Sequence, residues 1–320
     1  MSFSGMVKEE LYRRQDTARH CQLAELCALL IFSAVMRPDR ENRTPKIVFR
    51  SENELILRKC FTLLEKTFNI VANIAIDENS PAPRGHVFSA EISDESCIGR
   101  ILQGTKVVSD GDTGELILDG NSLITQRECC RRAFLRGAFL SSGSMSDPNK
   151  GYHFEIVCSS ETKAKQLKAV ICSFSIDAKI VQRKHSYVVY VKEGAQIVDM
   201  LGLMGASVAL MDLENIRIVK EMRNSVNRQV NCETANINKT VNAAVRQMED
   251  IRLIQDIMGF QGLSGPLQEI AVVRLQHPEA TLKELGLMLN PQVGKSGVNH
   301  RLRKLSEIAG HLRENEEDLL

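Results

Sequence analysis

The densest group of side chains suited to contacting an anion lies near the C-terminus, between Asn290 and Ser306. This segment holds four cationic residues and no acidic one, although the whole 320-residue chain has 41 Lys and Arg against 40 Asp and Glu. Arg and Lys contact nucleic-acid phosphates, whereas Asn, His and Ser can reach base edges. The pattern predicts a contact with duplex DNA. The predicted contact residues are Thr281, Lys283, Lys295, Ser296, Asn299, His300, Arg301, Arg303 and Lys304.

Three short helices are predicted to position these residues. Pro266 suits a first helical turn, and Thr281 and Ser296 suit N-caps. The predicted helices span 266–276, 282–289 and 296–309, with a turn at 290–294. The last helix has an apolar stripe formed by Val298, Leu302, Leu305 and Ile308. A helix, a tight turn and a basic helix are typical of a helix-turn-helix; a solvated basic face on a small bundle is the alternative.

A short glycine motif inside this block resembles a phosphate-binding loop. Residues 293–297 read Val-Gly-Lys-Ser-Gly, but the first glycine of the motif would fall at Leu289, and a predicted helix precedes it instead of a strand. The backbone conformation that turns N–H groups toward phosphate is therefore not expected. We expect no nucleotide site.

A second group of arginines lies in the middle of the chain. Arg127, Arg131, Arg132 and Arg136 fall within ten residues. They are candidates for a secondary DNA contact. Pairing with nearby acids, or capping of helix ends, explains them equally well.

Cysteine and histidine positions give no metal motif along the sequence. The nine cysteines lack C-x-x-C spacing, and the seven histidines are scattered without a Cys or carboxylate partner at metal spacing. We interpret the thiols as reduced, small apolar side chains. No metal, no cofactor and no catalytic residue is predicted.

Composition excludes several classes of protein. With 43% hydrophobic and 25% charged residues the chain is globular and not disordered. The longest apolar run, about Leu26 to Met36, is too short to span a membrane, and the N-terminus lacks the order of a signal peptide. We expect a cytoplasmic protein with no membrane partner.

The first 210 residues repeat one order of elements after about 108 residues. Each copy is predicted to run helix, strand, helix, strand, strand, helix, which indicates a pseudo-symmetric α+β domain. The predicted elements of the first copy are 22–36, 46–50, 53–68 (capped by Ser51-Glu52), 69–76, 86–92 and 95–103. Those of the second copy are 128–142, 152–158, 162–174 (capped by Ser160-Glu161), 178–183, 187–192 and 194–204. Polar turns are predicted at 38–45 and 147–151.

Strand patterns stop after about Asp212. Residues 213–223 are predicted helical, and five Asn between Asn224 and Asn238 predict turns and a domain boundary. A further helix is expected from about Val241 to Gly259. The predicted divisions are 1–212 (repeats about 18–105 and 126–205), a helical, Asn-rich linker over 213–262, the all-α helix-turn-helix domain over 263–313, and an acidic, frayed tail over 314–320.

The segment Arg131–Gly143 resembles the LAGLIDADG helix of homing endonucleases, in which paired helices pack through small residues and end at a metal-binding acid. Leu26–Ala34 is its counterpart in the first copy. Where the nuclease motif has its Asp, this chain has Ser33 and Ser142, and a hydroxyl cannot replace a carboxylate in holding divalent cations. We expect no DNA cleavage. An active endonuclease using other acids is the alternative.

Longer runs carry a closer resemblance. They are Cys129–Gly137, Asp147-Pro148, Lys150–His153, Asn227–Asn236 and Lys295–Leu305. On these residues, over about 1–313, the chain resembles the WhiA family of bacterial regulators, which joins a degenerate LAGLIDADG-like repeat to a helix-turn-helix.

This resemblance implies a nucleoid-associated, non-enzymatic regulator of transcription that binds double-stranded DNA and acts in cell division, chromosome segregation and, in sporulating lineages, sporulation. A protein partner from the transcription or division machinery is expected at the N-terminal domain. A protein-interaction platform with secondary DNA binding stays an alternative, and the oligomeric state stays open.

Overall fold

The computed structural model describes residues 2–38, 45–71, 75–82, 85–110, 113–120 and 123–317. The chain forms two compact units, Met1–Lys220 and Glu221–Leu320. The predicted turn at residues 39–44, the middle of the predicted strand at 72–74 and the last residues 318–320 lie outside the described residues.

The first unit contains two copies of one α+β arrangement. In chain order its elements are α1 (Phe3–Arg13), α2 (Arg19–Ser33), β1 (Ala34–Pro38), β2 (Pro45–Ser51), α3 (Glu54–Phe68), β3 (Ala75–Ala82), β4 (Gly85–Ile92), α4 (Glu95–Thr105), β5 (Val107–Ser109), β6 (Leu116–Leu118), α5 (Glu128–Ser142), β7 (Gly143–Met145), β8 (Phe154–Cys158), α6 (Glu161–Cys172), β9 (Lys179–Arg183), β10 (Ser186–Val191) and α7 (Gly194–Met204). Leu123–Thr125 forms a 3₁₀ turn.

The two four-stranded sheets have the same topology, while β5 and β6 pair with each other. One is ordered β1-β2-β4-β3 and the other β7-β8-β10-β9, and each neighbouring pair is antiparallel. Corresponding strands therefore occupy corresponding places. The predicted pseudo-symmetric α+β repeat is confirmed.

The helices α2 and α5 are the equivalent elements of the two copies and pack against each other. Their bounds are offset by the same 109 residues at both ends. A Cβ on Gly137 would lie 2.6 Å from the carbonyl oxygen of Glu25 and 2.9 Å from the Cβ of Ala28. Because no side chain fits there, Gly137 allows the close approach that the small-residue pattern predicted.

The second unit is helical among its described residues, as predicted for residues 263–313. Its helices are the later part of α8 (Ser207–Ile257), then α9 (Gly265–Gln276), α10 (Leu282–Met288) and α11 (Lys295–Glu317), with a 3₁₀ turn at Phe260–Gly262. Its core is formed by Ile251, Ile254, Ile270, Leu285, Leu289, Val298, Leu302 and Leu305, all buried. No described helix is long and apolar enough to cross a membrane.

The turns predicted from the Asn-rich stretch are wrong. The helix α8 runs without a break from Ser207 to Ile257, through Asn224 and Asn238. Asn lowers helix propensity by less than about 0.7 kcal/mol per residue. Neither Gly nor Pro, the strong helix breakers, occurs between residues 207 and 257, and Gln229 donates to Glu233 one turn later at 3.0 Å.

Several smaller predictions are also wrong. Residues 69–71 of the strand predicted at 69–76 are not in a strand, because Asn69 ends α3 in the left-handed conformation at φ 56°, and the described strand β3 is Ala75–Ala82. The cap of α3 is Asn53 and not Ser51-Glu52, since the Asn53 side chain accepts from the Leu55 N–H. The helix α11 continues to Glu317, so residues 314–317 are helical.

We predict that Gly137→Ala destabilises the protein by about 1–3 kcal/mol, the usual range for overpacking a close contact. Urea unfolding measures the change. Gly99→Ala is the matched control: it lies inside helix α4 with no atom within 4 Å of the added Cβ, so it should stabilise by up to about 1 kcal/mol through helix propensity. Equal effects of the two substitutions would refute close packing at Gly137.

Candidate nucleic-acid interface

The start of α10 is fixed by a capping box. Thr281 Oγ1 accepts from the Glu284 N–H at 3.3 Å, and the Glu284 carboxylate accepts from the Thr281 N–H at 2.7 Å. These bonds hold the pKa of Glu284 below its ordinary value. Thr281 is thus the N-cap that the sequence predicted, and its side chain is already engaged in holding the helix.

The turn between α10 and α11 folds directly onto α10. Val293 N–H donates to the Gly286 carbonyl at 3.0 Å. A Cβ on Gly286 would lie 2.0 Å from the Val293 carbonyl oxygen. Only glycine allows this approach.

Glu269 on α9 braces the same turn. Its carboxylate accepts from the Asn290 N–H at 2.6 Å and lies 3.8 Å from the Arg301 guanidinium. The Arg301 side chain is 22% exposed, and its pair with Glu269 helps to position α11. Its role as a DNA contact stays a prediction.

The helix α11 separates an apolar face from a polar one. The buried face consists of Val298, Leu302, Leu305 and Ala309, with Ile308 partly buried. The opposite face is exposed and consists of Ser296, Asn299, His300, Arg303 and Lys304. Ser296 lies inside the helix, because α11 begins at Lys295 and the Gly294 carbonyl accepts from Val298. The prediction of Ser296 as N-cap is wrong.

Three lysines near this face have no ion pair among the described residues. Lys283, Lys295 and Lys304 are all exposed. Arg303 is also exposed and lies 3.2 Å from Glu307 on the same helix, a pair that solvent screens strongly. These exposed side chains of α10 and α11 are therefore cations that can be offered to an anionic partner.

The middle group of arginines is largely engaged inside the first unit. Arg136 is 2% exposed, so its prediction as a DNA contact is wrong. Arg131 donates to the Gln126 carbonyl at 2.9 Å and lies over the Phe174 ring. Arg132 pairs with Glu128, and Arg127 is exposed just before α5.

Arg136 belongs to a buried ionic network. Its guanidinium donates to both carboxylate oxygens of Glu25, at 3.0 and 2.9 Å, and also to Asp16. Lys59 lies 2.9 Å from the same Glu25 carboxylate. Burial alone lowers the pKa of Arg136, but its bonds to Glu25 and Asp16 outweigh burial and raise it. Burial lowers the pKa of Lys59, and Glu25 offsets part of that effect.

Ser33 and Ser142 end the paired helices α2 and α5. The Ser33 hydroxyl donates to the Leu29 carbonyl, while the Ser142 hydroxyl is buried without a hydrogen-bond partner in the described part of the chain. Neither position provides a carboxylate oxygen for a divalent cation.

In the folded chain one His and three Cys lie close together, a cluster that their spacing in the sequence does not predict. The ligand atoms of His20, Cys21, Cys129 and Cys130 all lie within 4.8 Å of one another. The expectation that no His meets a Cys at metal spacing is therefore wrong. The two pairs are 109 residues apart and meet only because α2 and α5 pack together.

Comparison with known proteins gives consistent matches along the chain. Family models match at 19–108 (WhiA N-terminal LAGLIDADG-like domain), 131–223 (WhiA LAGLIDADG-like domain) and 226–309 (WhiA C-terminal HTH domain). A protein of Lachnoclostridium phytofermentans named probable cell division protein WhiA is 52% identical, covering 98% of this chain and 100% of that protein. The protein of the same name from Lachnospira eligens is 46% identical, with 98% of each covered. The crystal structure of full-length DUF199/WhiA from Thermatoga maritima matches with a TM-score of 0.58 and 26% identity, over 97% of this chain and 99% of that one.

We predict that Glu25→Gln destabilises the first unit by about 3–5 kcal/mol, because it removes the central anion and leaves Arg136 and Lys59 buried without it. Urea unfolding followed by circular dichroism measures the loss. Glu128→Gln is the matched control. Glu128 pairs with Arg132 at the surface, so the control should change stability by less than about 1 kcal/mol. A similar, small effect of both substitutions would contradict the role of the network.

Proposed function

The chain belongs to the WhiA family, and from that premise we propose that it is a non-enzymatic regulator that binds double-stranded DNA through the helix-turn-helix of residues 263–313. The single observation that carries the proposal is the exposed polar face of α11. Its five residues lie opposite the buried apolar stripe, next to cations that have no partner among the described residues.

The position of α11 in the motif supports a recognition role. It follows α10 and a short turn that Gly286 and Glu269 hold in place. The second helix of such a motif enters the major groove and contacts bases with residues of its first turns. Asn299 and His300 lie in that part of α11 and are suited to base edges, whereas Lys295, Arg303 and Lys304 are suited to phosphates.

Thr281 and Lys283 lie at the start of α10 and complete the proposed contact. The Thr281 hydroxyl already accepts the Glu284 N–H in the capping box, so Thr281 takes part chiefly by fixing the start of α10. Lys283 is exposed and adds a cation. Arg127 and Arg132 remain a proposed secondary contact on the first unit.

Two relatives carry the name probable cell division protein. We propose that this chain likewise acts in cell division and, as the family resemblance implies, in chromosome segregation and sporulation gene control. Its proposed location is the cytoplasm at the nucleoid. The repeat domain is proposed to bind a protein of the transcription or division machinery.

We predict that Asn299→Ala weakens binding to a preferred duplex by about 1–3 kcal/mol for a lost base contact, and that Arg303→Ala weakens it through a lost phosphate contact. A preferred duplex is first selected with the full chain from a random pool, and binding is measured at constant salt. Lys304→Ala should weaken all sequences alike and reduce the salt slope by about 1.

His311→Ala is the control for the same helix. His311 is exposed and lies about two helical turns after Lys304, where it pairs with Glu314 at 3.5 Å. It should leave affinity unchanged. Affinity that is unchanged in the Asn299 and Arg303 variants as well would eliminate α11 as the recognition helix.

We predict that the purified chain does not nick or linearise plasmid DNA with Mg²⁺ or Mn²⁺. Ser33 and Ser142 occupy the positions of the metal-binding acids and cannot hold the cations that activate water. Gel electrophoresis of supercoiled plasmid measures cleavage. Specific cleavage that disappears with EDTA would establish the alternative, an active endonuclease.

A further inference from the structure

Four side chains that bind soft metal ions converge at the start of the paired helices of the first unit. His20 and Cys21 lie in the first turn of α2, and Cys129 and Cys130 lie in the first turn of α5. The two dipeptides are offset by 109 residues, the offset that relates the helices themselves. Each copy of the repeat therefore contributes two neighbouring ligands to one point.

The distances agree with tetrahedral coordination of one ion. With zinc bonds of about 2.0–2.1 Å to nitrogen and about 2.3 Å to sulfur, a regular tetrahedron separates a nitrogen and a sulfur ligand by about 3.5 Å. His20 Nδ1 lies 3.2 Å from Cys130 Sγ, 3.3 Å from Cys21 Sγ and 3.9 Å from Cys129 Sγ. These separations bracket the tetrahedral value. Around His20 Nδ1, closing the site needs shifts of a few tenths of an ångström, and the sulfur atoms, which lie within 4.8 Å of one another, must come to about 3.8 Å.

The donor set selects the class of metal. Three thiolates and one imidazole form the Cys₃His combination of structural zinc sites, and hard cations such as Mg²⁺ and Ca²⁺ require oxygen ligands instead. We propose that His20, Cys21, Cys129 and Cys130 bind a Zn²⁺ ion that joins the N-terminal ends of α2 and α5. All four positions are taken by protein, so the ion has a structural role without an open catalytic position.

The surroundings suit binding of an ion from solvent. Cys21 and Cys130 are buried, whereas Cys129 is exposed and His20 half-buried. A groove lined by Leu23, Ile124 and Arg127 reaches His20 and Cys130. Cys130 Sγ lies 3.7 Å from the His20 carbonyl oxygen, which keeps the two dipeptides in register before an ion arrives.

The test uses the full-length chain purified under reducing conditions. Zinc content is measured by mass spectrometry of the metal after dialysis, and affinity by competition with a chromophoric chelator. The wild type is expected to hold about one zinc per chain. Replacing zinc with Co²⁺ is expected to give visible d–d bands of a tetrahedral ion and a thiolate-to-cobalt charge-transfer band in the near ultraviolet.

Cys129→Ser removes an exposed ligand and leaves the buried ones in place, so the variant is expected to fold. It should lose more zinc affinity than the roughly 10–100-fold that loss of an outer-shell partner costs. Cys172→Ser is the matched control, since Cys172 is also an exposed thiol on a helix of this unit. The control should bind zinc and cobalt as the wild type does.

Three results would overturn the proposal. One is zinc affinity that is equal in the Cys129→Ser and Cys172→Ser variants. Another is a cobalt complex without thiolate charge transfer. The third is a disulfide joining Cys129 to Cys21 or Cys130 in protein purified with reductant, detected by intact mass and peptide mapping, since those thiols would then not be metal ligands.

Discussion

The first unit depends on a buried carboxylate. Glu25, 1% exposed, accepts from Arg136 with both oxygens and lies 2.9 Å from Lys59. Removing these charges from water costs several kcal/mol for each ion, so the site is stable only when every charge is paired and every polar atom bonded. Asp16 supplies the second negative charge, which balances the two cations.

The same network connects the helices that surround it. Lys59 on α3 donates to the carbonyls of Leu11 and Arg14 at the end of α1, at 2.8 and 2.7 Å. Arg136 on α5 donates to the Met204 carbonyl at the end of α7 and to Glu25 on α2. The pairing across α2 and α5 is possible because Gly137, the next residue, brings the two backbones together. The close packing of α2 against α5 and the buried ion pair of Arg136 with Glu25 therefore depend on each other.

The sequence predicted the helices and strands better than the contacts between side chains that are far apart in the chain. The bounds of α5 and α7 were predicted as the structure has them, because apolar periodicity and flanking signals agree there. The Asn-rich part of α8 was predicted as turns because local preferences for Asn were given more weight than the absence of helix breakers. Sequence alone leaves Arg136 a candidate for a DNA contact, because its partner Glu25 lies 111 residues earlier. The cluster around His20 was missed for the same reason, since its spacing exists only in the packed helices.

The pairing of several arginines with acidic side chains explains why the net charge of the chain says little about DNA binding. On α5, Arg136 is neutralised inside the core and Arg132 is paired with Glu128, so a basic run in the sequence leaves little free charge. On α11, Arg301 is likewise paired with Glu269, but Lys295 and Lys304 have no acidic partner among the described residues. A phosphate contact is favoured by an exposed cation that has no acidic partner, or whose pair is exposed and weak, as that of Arg303 with Glu307 is. A surface for DNA is therefore better identified by exposed cations without partners than by counting basic residues, and by that criterion α11 is a stronger candidate than α5.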